Sequence, residues 1–331
     1  MSTFKLLDPK MDFIFKLIFG NEKHPKILIS FLNAVIQPKN KIVSVKIKNV
    51  DLEKKHLEDK FSRLDVFATT SNDEIVNIEI QLKDERNMIK RSLYYLSKMY
   101  ESQLGSGENY KTLPRTVAIN ILRFEYLEKE KNFHNAYRFK NLKNNNELTD
   151  VMEIHFIELP KFDEKKEGKE LLKALSSLKT PPLGGWGASV DMLKAWTLFL
   201  KEPSSQNIRT LEDNIEEIKE AKKELTIISA DEKNRTLYEM REASLHDRVS
   251  ALEGAEEKGY LKAQKEIEKA QKEKKKAQKE KEKALKREEK LLNDKKESVC
   301  SLLMMGLSKE KIAEAMNLSV AEVEVIEKNG K

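Results

Sequence analysis

Apolar and polar positions change period along the chain, and the changes mark out its elements. Residues 11–19 are almost continuously apolar and stop at Gly20, which predicts a short, largely buried helix carrying Phe13, Ile14, Leu17 and Ile18. Residues 26–35 place Ile27, Leu28, Phe31, Leu32 and Val35 at helical spacing, a second amphipathic helix. Residues 41–50 alternate Ile42, Val45, Ile47 and Val50 with Lys and Ser, the pattern of a first strand. Residues 60–83 then carry a sustained period of two broken by Thr-Thr-Ser-Asn-Asp, which predicts a β-hairpin turning near Asn72. In its second arm Val76, Ile78, Ile80 and Leu82 form an aliphatic wall, and Asn77, Glu79, Gln81 and Lys83 share the other face. Residues 87–103 return to helical spacing through Met88, Leu93, Tyr94, Leu96, Met99 and Tyr100.

The apolar run at 115–124 and the alternating segments at 137–139 and 152–159 read as further strands, arranged as a meander that extends the sheet. His155 falls on the more polar side of the last one, where a surface or hydrogen-bonded histidine is the plain reading. From residue 161 the pattern is helical over 167–178, 189–199, 211–218 and 238–252, with a Pro-Pro-Leu-Gly-Gly break after Thr180. Ala263, Ala270, Ala277 and Ala284 then recur every seven residues in a Lys- and Glu-rich background. One alanine per heptad falls short of the seam a stable coiled coil wants, so the segment reads as a solvated helical spacer of ~50 Å or a weak oligomerisation element. Lysines contacting DNA are a further reading, against the plainer one of a solvated face. At the end, Ser308 opens one helix and Ser319 with Glu322 forms a capping box for another. The pair resembles a helix-turn-helix, but Glu322, Glu324 and Glu327 on its last helix suit packing or dimerisation better than reading phosphate-lined DNA.

The hairpin is where chemistry gathers. With the turn near Asn72, Asp65 and Glu79 fall opposite each other on adjacent strands, where cross-strand Cβ atoms stand roughly 4.5–5.5 Å apart. Two carboxylates that close repel unless a cation lies between them. An oxygen-loving divalent ion such as Mg²⁺, with Mn²⁺ as substitute, is the simplest solution, and the Ile80 carbonyl is a candidate third ligand. Gln81 and Lys83 on the same face are placed to orient a metal-bound water, and Lys60 and Arg63 are candidates to hold phosphate. Asp12 has two readings that stay open, a helix-terminal charge paired with Lys16 or a third acidic group beside the metal.

These residues carry a resemblance. Asp65 followed by Glu79-Ile80-Gln81 resembles the D…(D/E)-x-K core of the PD-(D/E)XK nuclease superfamily. The ordered set MDFIFKLIFG, SRLDV, EIQ and RSLYYLSKMY is similar to the Rpn-type recombination-promoting nucleases, also described as PD-(D/E)XK nuclease family transposases, over about residues 7–124. Gln81 departs from the superfamily lysine. The resemblance implies an α/β, restriction-endonuclease-like core with a mixed β-sheet flanked by helices, followed by an extended helical C-terminal region. It implies a Mg²⁺-dependent DNA endonuclease with Asp65, Glu79, Gln81 and Asp12 catalytic, linked to recombination or mobile elements. It also supports the acidic reading of Asp12 and a role for Arg91 in touching phosphate or positioning Glu79. The alternative is an inactive DNA- or protein-binding module of the same fold.

Length and charge refine this. The 331 residues suggest a core over 1–160, a helical extension over 161–255, the heptad helix over 256–298 and a small helical unit over 299–331, a homo-oligomer through its C-terminal helices. The net charge of +6 sits mostly in the heptad segment, where residues 263–290 hold twelve Lys or Arg against seven Glu. The nuclease-like part is therefore near neutral, and global charge argues little about its partner. The single Cys300 excludes internal disulfides and Cys-based zinc sites. No apolar run spans a bilayer and the first ten residues lack a signal-peptide core, so a cytoplasmic protein without membrane association is expected.

Overall fold

The computed structural model describes residues 5–48, 66–177 and 190–329. The first arm of the predicted hairpin before Val66, with Lys60, Arg63 and Asp65, lies outside them, as does the Pro-Pro-Leu-Gly-Gly break. Contacts divide the chain into two compact units, Met1–Glu242 and Ala243–Lys331.

The first unit is built on a six-stranded mixed sheet: β1 (Val45–Ile47), β2 (Val66–Thr70), β3 (Ile75–Gln81), β4 (Thr116–Leu122), β5 (His134–Lys140) and β6 (Glu147–Glu158). Their spatial order is β1-β2-β3-β4-β6-β5. β1, β2 and β3 run antiparallel, whereas β3, β4 and β6 run parallel. Parallel neighbours need a crossover, and between β3 and β4 it is the helix α3 (Met88–Glu101). The expected meander is corrected here. β6 inserts between β4 and β5, and β5 hairpins back onto it as an edge strand. β3 and β4 are apolar or buried along almost their whole length, as central strands covered on both faces must be.

Two local devices set element ends. β1 is shorter than the alternation of residues 41–50 predicts, because Ile42 gives both its backbone groups to a side chain. Asn33 Nδ2 donates to Ile42 O at 2.8 Å, and Ile42 N donates to Asn33 Oδ1 at 2.9 Å. A short edge strand also limits pairing with other chains. Gly20 does end α1 (Asp12–Phe19), although its φ of −95° is not left-handed. It is needed for close approach, since a Cβ there would stand 2.6 Å from Lys16 O.

One face of the sheet packs on α3: Met88, Leu96 and Met99 meet Ala118, Leu122, Ile154 and Phe156. Elsewhere in the unit α1, α2 (Pro25–Ile36), α5 (Met192–Lys201) and α7 (Glu216–Ala230) pack on one another, and α4 (Glu164–Ser177) and α6 (Gln206–Glu212) flank α5. The helices expected as an extension from residue 161 thus share the compact unit of the sheet. Their junction is aromatic. Trp196 of α5 stands edge-on to Phe19 and Phe31, and its Nε1 donates to Ser30 Oγ at 3.1 Å.

The heptad segment lies inside one helix, α8 (Glu232–Met304). In the second unit the end of α8 joins α9 (Lys309–Met316) and α10 (Val320–Asn329) around Val299, Ile312, Ala313 and Val323. The capping box is formed as read: Glu322 Oε2 accepts from Ser319 N at 2.8 Å and Ser319 Oγ from Glu322 N at 3.3 Å. No helix among the described residues is long and apolar enough to cross a membrane.

Trp196 is fully buried and joins three helices, so Trp196→Ala should cost about 3–5 kcal/mol in urea unfolding. A loss below about 1 kcal/mol would mean that α5 is not part of the cooperative unit.

Candidate functional site

The hairpin register is the one on which the candidate site depends. Val66 pairs with Ile78, Phe67 with Asn77 and Ala68 with Val76. Thr70 N–H to Glu74 O closes the turn, with Asp73 at a φ of 60° that Asp tolerates. Asn77, Glu79 and Gln81 share a face with Ala118, Asn120 and Leu122 of β4, since Asn77 pairs with Ala118 and Glu79 with Asn120. That face is the one α3 covers.

Glu79 is therefore only 4% exposed, and its counter-ion comes from the helix above it. Arg91 Nη2 and Nε donate to Glu79 Oε1 at 2.6 and 3.1 Å. Burial pushes the Glu79 carboxyl above the usual carboxylate range, and the Arg91 guanidinium pulls back against that push. Tyr95, one turn on, lies under the guanidinium at 5.2 Å from ring centroid to Arg91 Cζ. Of the two roles the sequence offers Arg91, contact with Glu79 is the one this geometry contains.

Other expected residues are placed differently. Gln81 and Lys83 are half-buried at the C-terminal end of β3, where Gln81 O accepts from Arg123 N at 3.1 Å. Asp12 pairs with Arg241 of α8, Oδ2 to Nη1 at 3.2 Å. Lys60, Arg63 and Asp65 are outside the described residues.

Several polar residues around this end escape sequence reading. Asn120 sits beside Glu79, takes a hydrogen bond from Ser92 Oγ at 2.8 Å and donates to His155 O at 3.1 Å. A polar residue in the middle of the apolar run Thr116–Leu122 is the one signal that could have marked it. Asp8 is held by Lys10 at 2.8 Å and faces Arg123 at 3.7 Å. Glu158 ends β6 and accepts from the backbone N–H groups of Tyr126 and Leu127, while Lys161 binds its other oxygen. Long-range pairs of this kind leave no periodic trace in a sequence.

A second buried network occupies the other face and the other end of the parallel strands. Arg115 bridges Glu74 at 2.5 Å and Glu153 at 2.7 Å, Arg138 also binds Glu153, and His155 sits between Glu153 and His134. Burial would raise the Glu153 carboxyl, but bonds from His155 and Arg115 outweigh it and hold it at about 2. Burial, with the neighbouring His155, lowers His134 to about 4. His155 is buried and bonded on both ring nitrogens, a structural residue rather than a surface one.

The donors at Glu79 are hard oxygens, the chemistry that Mg²⁺ and Mn²⁺ take. Glu79 supplies a carboxylate, and on the same face the buried Asn77 Oδ1 has no hydrogen-bond partner among the described residues. Among the described residues no three His, Cys, Asp or Glu side chains gather as a metal site.

A family model described as PD-(D/E)XK nuclease family transposase matches residues 9–255. The chain belongs to that family. Its mixed sheet flanked by helices is the restriction-endonuclease-like fold of PD-(D/E)XK proteins. Comparison with curated proteins and with solved structures found no match.

The ion pair makes a pH-dependent prediction for this family member. Arg91→Met leaves the Glu79 carboxylate buried without a counter-ion, which costs about 3–5 kcal/mol at pH 7.5. Its pKa then rises further, so the folded state holds the proton more tightly than the unfolded chain does. The loss should shrink as pH falls through that raised pKa toward 5. Urea unfolding at the two pH values checks it, and a loss independent of pH would show that Glu79 is not the group left unpaired.

Proposed function

We propose that the protein is a metal-dependent DNA endonuclease, with Asp65 and Glu79 as the carboxylates that hold Mg²⁺ or Mn²⁺. The observation that carries the reading is the buried Glu79 at the end of β3, in the hairpin register that pairs Val66 with Ile78. Asp65 directly precedes Val66 in the chain, and in the sequence pattern it falls in the same alternation as Phe67. A bound ion of this type supplies a water of lowered pKa and neutralises charge on phosphate oxygens.

The chain's own residues do the rest. Arg91 holds Glu79 in one orientation and offsets the cost of burying it. Gln81 and Lys83, at the open end of β3, orient water and phosphate; Gln81 carries no charge, so Lys83 or Lys60 supplies the cation that the superfamily lysine would. Lys60 and Arg63, upstream of Asp65, hold the DNA backbone. Asp12 completes the acidic set only if it leaves Arg241, a pair exposed enough to exchange. The biological setting proposed is recombination or movement of DNA elements in the cytoplasm, by a homo-oligomer joined through the C-terminal helices.

The second reading is a binding module without turnover, favoured by one observation: Arg91 already occupies Glu79 Oε1. Supercoiled-plasmid nicking separates the two. The parent should nick in Mg²⁺ or Mn²⁺ and not in EDTA, and Asp65→Ala should lower the rate at least ~100-fold while the thermal midpoint is kept. Undiminished nicking by that variant would remove Asp65 from the site, and a folded parent inert with every metal would favour the binding module.

A further inference from the structure

Helix α8 carries a feature that the net charge conceals. Lys262, Lys265, Lys269, Lys272, Lys276, Lys279, Lys283, Lys286 and Lys290 alternate at spacings of three and four residues without a break. On a continuous helix that spacing places all nine on one ridge, and the helix is continuous through them. All nine are exposed, and Lys286 pairs with Glu282 at 2.9 Å. At 1.5 Å per residue the ridge runs about 42 Å, drifting by roughly 20° per heptad.

Charge is sorted around the helix rather than scattered. The flanking rows hold Glu266, Glu273 and Glu280 on one side and Glu268, Glu282 and Glu289 on the other, three or four residues from ridge lysines that they support. The far side carries the heptad alanines, Gln264, Gln271 and Gln278, and two isolated lysines, Lys274 and Lys281; with Lys275 and Arg287 in the flanking rows these are the four cations of residues 262–290 off the ridge. A helix that needed only solubility would not require its lysines in single file.

We propose that this ridge is a docking surface for the phosphate backbone of double-stranded DNA. Charge complementarity selects a polyanion, and a long, gently winding row of cations matches a helical rod with one charge per about 1.7 Å of axis. The residue types narrow it further. Residues 262–290 contain no aromatic side chain on which an unpaired base could stack, which disfavours single strands. Arg287 is their one arginine and lies off the ridge, so no forked donor reads base edges there. Ile267 and Leu285 are the only apolar residues larger than alanine, too few for a membrane-surface helix. The contact is therefore sequence-independent, and it lies outside the carboxylate site, sharing only the DNA partner with the proposed nuclease function.

The test uses the full chain, a mixed-sequence 30-base-pair duplex and EDTA, so that cleavage plays no part. In one variant Lys265, Lys272, Lys276 and Lys279 become Gln; in a charge-matched control Lys274, Lys275, Lys281 and Lys296 become Gln. Gln and Lys have similar helix propensity, and circular dichroism checks that α8 persists. Fluorescence anisotropy across salt concentrations should show the ridge variant binding at least ~10-fold more weakly, with a log Kd against log salt slope shallower by about 3, and the control close to the parent. Equal losses in both variants would reduce the effect to net charge and overturn the proposal, as would unchanged binding in the ridge variant. Tighter ridge-dependent binding of a single-stranded oligonucleotide, of poly-glutamate or of anionic vesicles would overturn the duplex as its partner. A parent that nicks plasmid while the ridge variant binds as the parent does defeats this proposal alone; ridge-dependent binding without nicking defeats the nuclease reading alone.

Discussion

The ion pair between Glu79 and Arg91 is the contact around which the buried polar centre of the sheet is arranged. A carboxylate 4% exposed on a central strand is costly, and a guanidinium delivered from the crossover helix makes the burial tolerable. The same contact fixes α3 over the sheet, because Met88, Leu96 and Met99 close the apolar surface around it. Chemistry and packing are thus set by one helix. Ser92, the residue after Arg91, extends the arrangement to Asn120 on β4 and through it to the backbone of β6.

The two faces of the sheet divide the work. On the side of Val76, Ile78 and Ile80 the unit is aliphatic and aromatic until the Glu74–Arg115–Glu153 network closes one end. Every charged group of that network has a partner, the condition for burying it at all. The side of Asn77 and Glu79 sets these polar groups into the apolar cluster under α3, and there the buried Asn77 Oδ1 has no partner among the described residues. Completely satisfied polar groups hold a fold together, whereas incompletely satisfied ones are the kind a ligand completes.

What was legible in the sequence was local. The hairpin turn, the helix carrying Arg91 and Tyr95, and the Ser319–Glu322 capping box follow from period, turn chemistry and spacing, each confined to a few consecutive residues. The ordered motifs named the family that residues 9–255 match. The strand order was not legible, because β6 rather than β5 pairs with β4 and nothing in an alternating pattern says which neighbour a strand chooses. The short β1 was hidden in the amide of Asn33, one side chain in another helix. Asp12 has an i,i+4 lysine in sequence, yet its partner Arg241 stands 229 residues away. The continuity of α8 was obscured by its own composition, since lysine and glutamate report exposure without reporting where a helix ends.

Glu79 is proposed to be half of a hard-oxygen metal site and not merely a structural charge. Calorimetric titration of Mn²⁺ into the DNA-free protein, parent against Glu79→Gln, tests it without relying on turnover. Saturable binding by the parent is expected, with a loss of affinity of at least ~10-fold in a variant whose circular dichroism is unchanged. Equal affinity in both proteins, or no binding by the folded parent, would contradict it and leave Glu79 as the counter-ion that keeps α3 in place.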